Sequence, residues 1–398
     1  MTPAQLIKLI GARVTQNARR AERIDLVIRR DRIAPFGTSL SRCEVIDLSG
    51  YLLLPGLINA HDHLEFNLFP QLGRGPYGNS AKWAQEIYHP ERPPVEEHIA
   101  VPKPVRLMWG GLKNLLSGVT TVAHHNPYEA RLFDRDFPVR VIRKFGWAHS
   151  LHFSPDLAER FRTTPPTWPF IVHAAEGRDA EAFSEIERLD AMGVLDRRTV
   201  LVHAIALKPS DIEILQARKC SVVWCPSSNL FAYGRTLTLH ALAASVPIAL
   251  GTDSALTADG DMVDEIRAAR GTPQVSMERI FEMVTTRAAS VFRLPAASGE
   301  IQEHGPADLV AVADHGQSPA DALANLLPDL VVIGGRIRLL SRRLSMMRDM
   351  QRHIAGMQRI SVQPSGEWFV DVNVLLLHRA TARVLGPTFH LAGKCVSL

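Results

Sequence analysis

The chain has 398 residues, of which 46% are hydrophobic and 22% charged, with a formal net charge of +4. Such a composition is ordinary for a globular protein, and the length accommodates two or three domains, or one large barrel with an appendage. The arginines are scattered rather than gathered into a stripe, and the four cysteines are too few and dispersed for a disulfide framework; this sets aside a nucleic-acid surface and a cystine-stapled secreted module. No apolar run reaches the length of a membrane span, so a cytoplasmic protein with reduced thiols, acting on a small molecule and not on nucleic acid or membrane, is the expectation.

Along the chain, residues 1–54 alternate in short strands. Asp25–Arg30 and Arg32–Gly37 flank a tight turn at Asp31, as in a hairpin, and Glu44–Leu48 follows. This stretch is too small to stand alone. Leu52–Leu54 reads as a buried strand, Pro55-Gly56 as a turn and Leu57–Ala60 as a second strand. From residue 55 to about 304, strand-like runs alternate with amphipathic helical ones. The strands are Gly118–Ala123, Val139–Arg143, Ala148–Phe153, Pro169–His173, Thr199–His203, Ser221–Trp224 and Pro247–Gly251; Asp179–Met192 and Pro209–Arg218 are helical. Repeated βα units imply a parallel sheet, and this many imply an α/β fold of the (β/α)8 TIM type, with its chemistry at the C-terminal rim. Beyond residue 305 short strands return at Asp308–Ala313, Asp329–Ile333, Gly335–Leu339 and Trp368–Val374, while Arg342–Arg359 has helical character. A small composite β-sandwich domain, built from both chain ends beside the barrel, is the natural assembly.

Polar residues follow the strands. His61-Asp62-His63 sits at a strand end, and alternate strand residues point the same way, so two imidazoles at i and i+2 can grip one ion. His173 ends another apolar run and Glu176 lies three residues on. His203 and Asp253 end two more runs. His61, His63 and His173 supply nitrogens, and Asp253 an oxygen, for one divalent metal, zinc or iron, with a position left for water. Glu176 beside that water suits proton transfer, and His203 suits support of a developing anion. Taken singly, a strand-end histidine is more often structural, Asp253 an N-cap and Glu176 a solvated carboxylate. Six such residues after four separate strands have no common bland cause.

In Pro55–Leu64, Arg74-Gly75, Gly118–Val122, His173-Ala174-Ala175-Glu176, His203-Ala204, Cys225–Leu230, Gly251–Ser254 and Ala307–Val310 the chain resembles the amidohydrolase superfamily. The branch is the one that contains cytosine, guanine and S-adenosylhomocysteine deaminases and the triazine hydrolases. The resemblance implies a hydrolase opening a carbon–nitrogen or carbon–halogen bond. In it His61, His63, His173 and Asp253 hold one metal, Glu176, His203 and Asp253 are catalytic, and the block around Asn229 shapes the substrate pocket. Deamination of an aminated heterocycle is the leading expectation, with cyclic amide hydrolysis or dechlorination as alternatives from the same site. A metal-binding barrel without turnover is the alternative from outside the enzymes. By analogy the assembly is a homodimer.

Two departures stand out. Only about 50 residues separate Val122 from His173, so at least one barrel helix is short or missing. His124-His125 after the second barrel strand is unusual for the branch, and a structural role is favoured over substrate contact. Trp83 reads as packing near the mouth.

Overall fold

The computed structural model describes residues 6–38, 43–242 and 246–398. Among the described residues, the middle of the chain contains eight strands in two hydrogen-bonded parallel groups. β1 (Leu57–Asp62), β2 (Val119–His124) and β3 (Arg140–Val141) form the first. β4 (Gly146–Ser150), β5 (Phe170–Ala174), β6 (Thr199–His203), β7 (Ser221–Trp224) and β8 (Ile248–Leu250) form the second. Every residue of β1, β2, β5 and β6 is buried, as expected of parallel strands covered on both faces.

Helices lie between these strands. α1 (Ser80–Ile87) and α2 (Lys103–Leu116) fall between β1 and β2, and α3 (Leu157–Thr163) between β4 and β5. α4 (Ala180–Ala191) joins β5 to β6, α5 (Pro209–Arg218) joins β6 to β7, and α6 (Pro226–Tyr233) follows β7. Their boundaries have local causes. Asp179 caps α4 by accepting from Ala182 N, Pro209 occupies the first turn of α5, and Lys219 ends it with φ +58°. Among the described residues no helix lies between β2 and β3 or between β3 and β4. The short span before His173 therefore keeps its strands and lacks helices.

The edges of the two groups approach one another where β8 meets β1. A Cβ on Gly251 would stand 2.6 Å from His61 Cβ, so only glycine admits the approach. Asp253 N then donates to His61 O at 3.1 Å.

Both chain ends contribute to a ten-stranded sheet. In it Tyr51–Pro55 pairs antiparallel with Leu309–Ala313, which in turn pairs with Leu330–Ile333. A four-stranded sheet (Arg32–Ile33, Leu26–Arg29, Leu6–Ile10, Glu44–Asp47) shares its core, Ile7, Leu9, Ile28 and Ile46 packing with Leu53, Leu309 and Leu340. Two expectations need correction. Arg342–Arg359 is helical only in short turns and then enters a strand, Gln358–Gln363. Trp368–Val374 is a strand only to Val370; Val374 opens α7 (Val374–Leu385). α7 packs on α2, where Trp109 Nε1 donates to Thr381 Oγ1 at 2.8 Å in the buried interface. The length of the apolar repeat misled here, because four-residue turns carry the same local pattern as one long helix. Among the described residues no helix is long and apolar enough to cross a membrane.

Candidate metal centre and catalytic cavity

The C-terminal ends of β1, β5, β6 and β8 converge on a cavity of about 950 Å³ lined by His63, His173, Glu176, His203 and Asp253. Its outer wall is aromatic, with Phe66, Trp83, Tyr88, Trp147 and Phe153. That size and lining suit a drug- or nucleoside-sized ligand. Trp83 both packs and faces the cavity, its Nε1 donating to Leu72 O at 3.0 Å. The backbone bends sharply behind the key side chains. His203 has φ +73°, Ala204 +47° and Asp253 +56°, a left-handed conformation rare outside glycine, and such strain collects at functional sites.

His61 and His173 bring their Nε2 atoms to 3.2 Å. His173 Nδ1 lies 2.8 Å from His149 O; a carbonyl only accepts, so Nδ1 carries the hydrogen and Nε2 is bare. Asp253 Oδ1 lies 3.6 Å from His61 Nε2 and 3.9 Å from His63 Nε2. Donors on one tetrahedral ion bound at about 2.0–2.1 Å are spaced at about 3.3 Å, so this set fits a divalent metal. Burial pushes His61 down to about 4 and His173 well below its ordinary value. Both therefore stay neutral, the ligating form. Asp253 is opposed by burial, yet the imidazoles that face it, His61 first and then His203 and His63, hold it well below the usual carboxylate range. Ser228 Oγ donates to its Oδ2 at 2.7 Å, Thr257 Oγ1 at 3.1 Å, and Ser254 N donates to Oδ1 at 2.8 Å.

Glu176 and His203 face the same gap. His203 Nε2 is 3.6 Å from Glu176 Oε1 and 3.8 Å from Asp253 Oδ2. Tyr233 donates its hydroxyl to Glu176 Oε1 at 2.7 Å, and burial raises the Glu176 carboxyl above its ordinary value. Asn229 is fully buried behind His203, and its Oδ1 accepts from His203 Nδ1 at 2.8 Å. It reaches the cavity through that histidine.

Several neighbours escaped sequence reasoning. Tyr233 and Thr257 carry no signal beyond their nearness to Asn229 and Asp253, and Ser228, within the Cys225–Leu230 block, gave no sign of its bond to Asp253. His124 and His125 part company. His124 Nδ1 accepts from Leu64 N at 3.3 Å, whereas His125 turns toward His61, His63 and His173. Beneath them Lys113 and Asp62 form a buried ion pair at 2.9 Å.

A family description reading "Amidohydrolase family" matches residues 170–338. The 5-methylthioadenosine/S-adenosylhomocysteine deaminase of Moorella thermoacetica is 31% identical over 366 residues, covering 74% of this chain and 83% of that protein. The 5'-deoxyadenosine deaminase of Methanothrix thermoacetophila is 26% identical, covering 71% and 80%. Among solved structures, a zinc-bound adenosine deaminase from Xanthomonas campestris has a TM-score of 0.70 at 20% identity, covering 86% of this chain and 94% of that one. Atrazine chlorohydrolase from Arthrobacter aurescens TC1, complexed with zinc, has a TM-score of 0.69 at 18% identity, covering 88% and 98%. The fold is thus of TIM-barrel type. The chain belongs to the amidohydrolase family, and it is an enzyme that hydrolyses carbon–nitrogen bonds.

Proposed function

We propose that this protein is a zinc-dependent deaminase of an aminated heterocycle, an adenine nucleoside or a close analogue, with His61, His63, His173 and Asp253 holding the ion. In this reading the eight strands close into one barrel over residues 55–304, and residues 1–54 and 305–398 form a composite sandwich beside it. The observation that supports the chemistry best is the gap framed by Glu176, His203 and Asp253, with contacts of 3.6 and 3.8 Å around His203 Nε2. The relatives named for deamination of adenosine derivatives support the substrate class.

The metal, when bound, lowers the pKa of a water and polarises the reacting carbon. Asp253, kept as a carboxylate, takes the proton that water loses as its oxygen attacks the carbon bearing the amine. Glu176, whose carboxyl holds its proton more tightly than usual, gives it to the adjacent ring nitrogen and relieves the charge there. His203, whose Nδ1 donates to Asn229 Oδ1, turns a bare Nε2 toward the attacking water and orients it by accepting its hydrogen. Asp253 then returns its proton to the departing amine, the hydroxyl proton passes to the Glu176 carboxylate, the C–N bond breaks, and ammonia leaves a carbonyl on the ring. The aromatic wall holds the planar base and keeps bulk water out.

The test is metal content of the purified chain, followed on the same sample by ammonia release from adenine nucleosides, aminopyrimidines, pterins and aminotriazines. About one zinc per chain with ammonia from a nucleoside is the expected result. One zinc with chloride or a ring-opened amide as the product, and no ammonia, replaces deamination by one of the alternatives.

A further inference from the structure

His125, the first residue beyond β2, is 1% exposed and lies against the metal centre. One ring nitrogen each of His61, His63, His125 and His173 lies within 4.8 Å of the others. Ring centres are 4.9 Å apart for His61–His63, 5.0 Å for His61–His173 and 5.4 Å for His63–His173. From His125 the distances are 5.2 Å to His61, 5.7 Å to His63 and 4.4 Å to His173. Imidazoles bound tetrahedrally to one ion at about 2.0–2.1 Å have ring centres about 5 Å apart, and His125 stands in that relation to all three. His149, half-buried, stands 4.7 Å from His173 but 6.2 Å from His63 and 6.4 Å from His125 and joins no such group.

The hydrogen bonding agrees. His125 Nε2 lies 3.0 Å from Ala148 O. The carbonyl accepts, so Nε2 carries the hydrogen, and Nδ1 of the neutral ring keeps a bare lone pair. That Nδ1 is buried with no partner among the described residues. Ligating imidazoles are held this way, the far nitrogen donating to a backbone carbonyl and fixing the tautomer, and His173 does the same through His149 O at 2.8 Å. The neighbouring His124 turns instead toward the Glu65 carboxylate, at 3.6 Å.

We propose that His125 is a fourth imidazole ligand, so that His61, His63, His125 and His173 surround the ion with the Asp253 carboxylate alongside. This rests on the metal-centre reading above and adds a donor from β2, a strand that the ligand set read from the sequence leaves empty. Four nitrogens favour zinc or iron(II) over magnesium and calcium.

The experiment is X-ray absorption on the zinc-loaded full-length chain, counting imidazoles from outer-atom scattering, together with zinc affinity by chelator competition. Four imidazoles are expected in the parent and three in His125→Gln, with affinity lowered at least about 100-fold, more than loss of a ligand's outer partner costs. His125→Cys is expected to show a zinc–sulfur distance of about 2.3 Å, a signal that a merely structural residue would not produce. His149→Ala, which keeps the backbone carbonyl, retains four. Three imidazoles in the parent, four in His125→Gln, or no sulfur in His125→Cys overturns the proposal. Zinc lost from His61→Ala but held unchanged by His125→Gln overturns this inference alone. Full zinc in both variants overturns the metal-centre reading itself.

Discussion

His61 and His63 project from one side of the end of β1 and Asp62 from the other, and the two sides are surrounded differently. Behind the strand, Asp62 Oδ1 accepts from Asn67 Nδ2 at 2.8 Å, and Oδ2 accepts from Asn114 Nδ2 at 2.8 Å and from Lys113 Nζ at 2.9 Å. Lys113 also reaches Thr252 Oγ1 at 3.1 Å. In front, His63 Nδ1, His125 Nδ1 and His149 Nδ1 are buried without partners among the described residues. A buried polar atom left unpaired costs about 1–3 kcal/mol. Charge closed upon itself behind β1 therefore reads as scaffold, and unpaired nitrogen in front of it reads as a place for a ligand. The rear cluster also backs the front one, since Thr252 precedes Asp253 and Asn59 Oδ1 accepts from His61 N at 3.2 Å.

Substitutions on the two sides should separate these roles. The largest effect belongs to the front: His61→Ala is expected to lose the metal and, with it, turnover by at least about 10³-fold, while elemental analysis and a melting curve show an intact fold without zinc. Full metal content would remove His61 from the ligand set. Behind the strand, Lys113→Met strands a buried carboxylate and should cost about 3–5 kcal/mol in urea unfolding, whereas Asp62→Asn with Lys113→Met should recover most of it. A single variant as stable as the parent would show that Asp62 needs no countercharge. Between these, Glu176→Gln is expected to keep the metal and the stability and lose turnover by at least about 10²-fold; near-full turnover would take the proton transfer away from Glu176.

The last effect, which builds only with pH, lies away from both faces. Glu265 is buried, accepts from Ser227 N at 3.1 Å, and burial raises its carboxyl to about 8. The native form then keeps a proton that the unfolded chain releases above about 4.5. Its stabilising contribution is complete below that pH and is lost as pH rises toward 8. Glu265→Gln should match the parent at pH 4.5 and gain on it above, by at most about 1.4 kcal/mol per pH unit. Parallel stability profiles from pH 4.5 to 8 would show that Glu265 ionises normally.

Much of the site was legible because its residues end short apolar runs. Thr199–His203 and Ser221–Trp224 were read to the residue, since a buried parallel strand bounded by polar residues is a local pattern. The boundaries of β3 and β4 were blurred, because no helix separates these strands from what precedes them. Asn229 was read as shaping the pocket; its place behind His203 depends on how α6 leaves β7, which no local pattern records.

By itself the chain determined which residues stand at strand ends and, through the two-residue period of a strand, that His61 and His63 share a side. It also determined the alternation of strand and helix that makes the fold α/β. Tertiary structure alone decided which side chains meet: Tyr233 with Glu176 across 57 residues, Lys113 with Asp62 across 51, and His125 with His61, His63 and His173. The physical reason is range. Strand and helix periodicity are written by neighbours a few residues apart, whereas these contacts form between strands and helices distant in sequence, brought together by the burial of apolar faces that carry no information about which polar partner lies opposite.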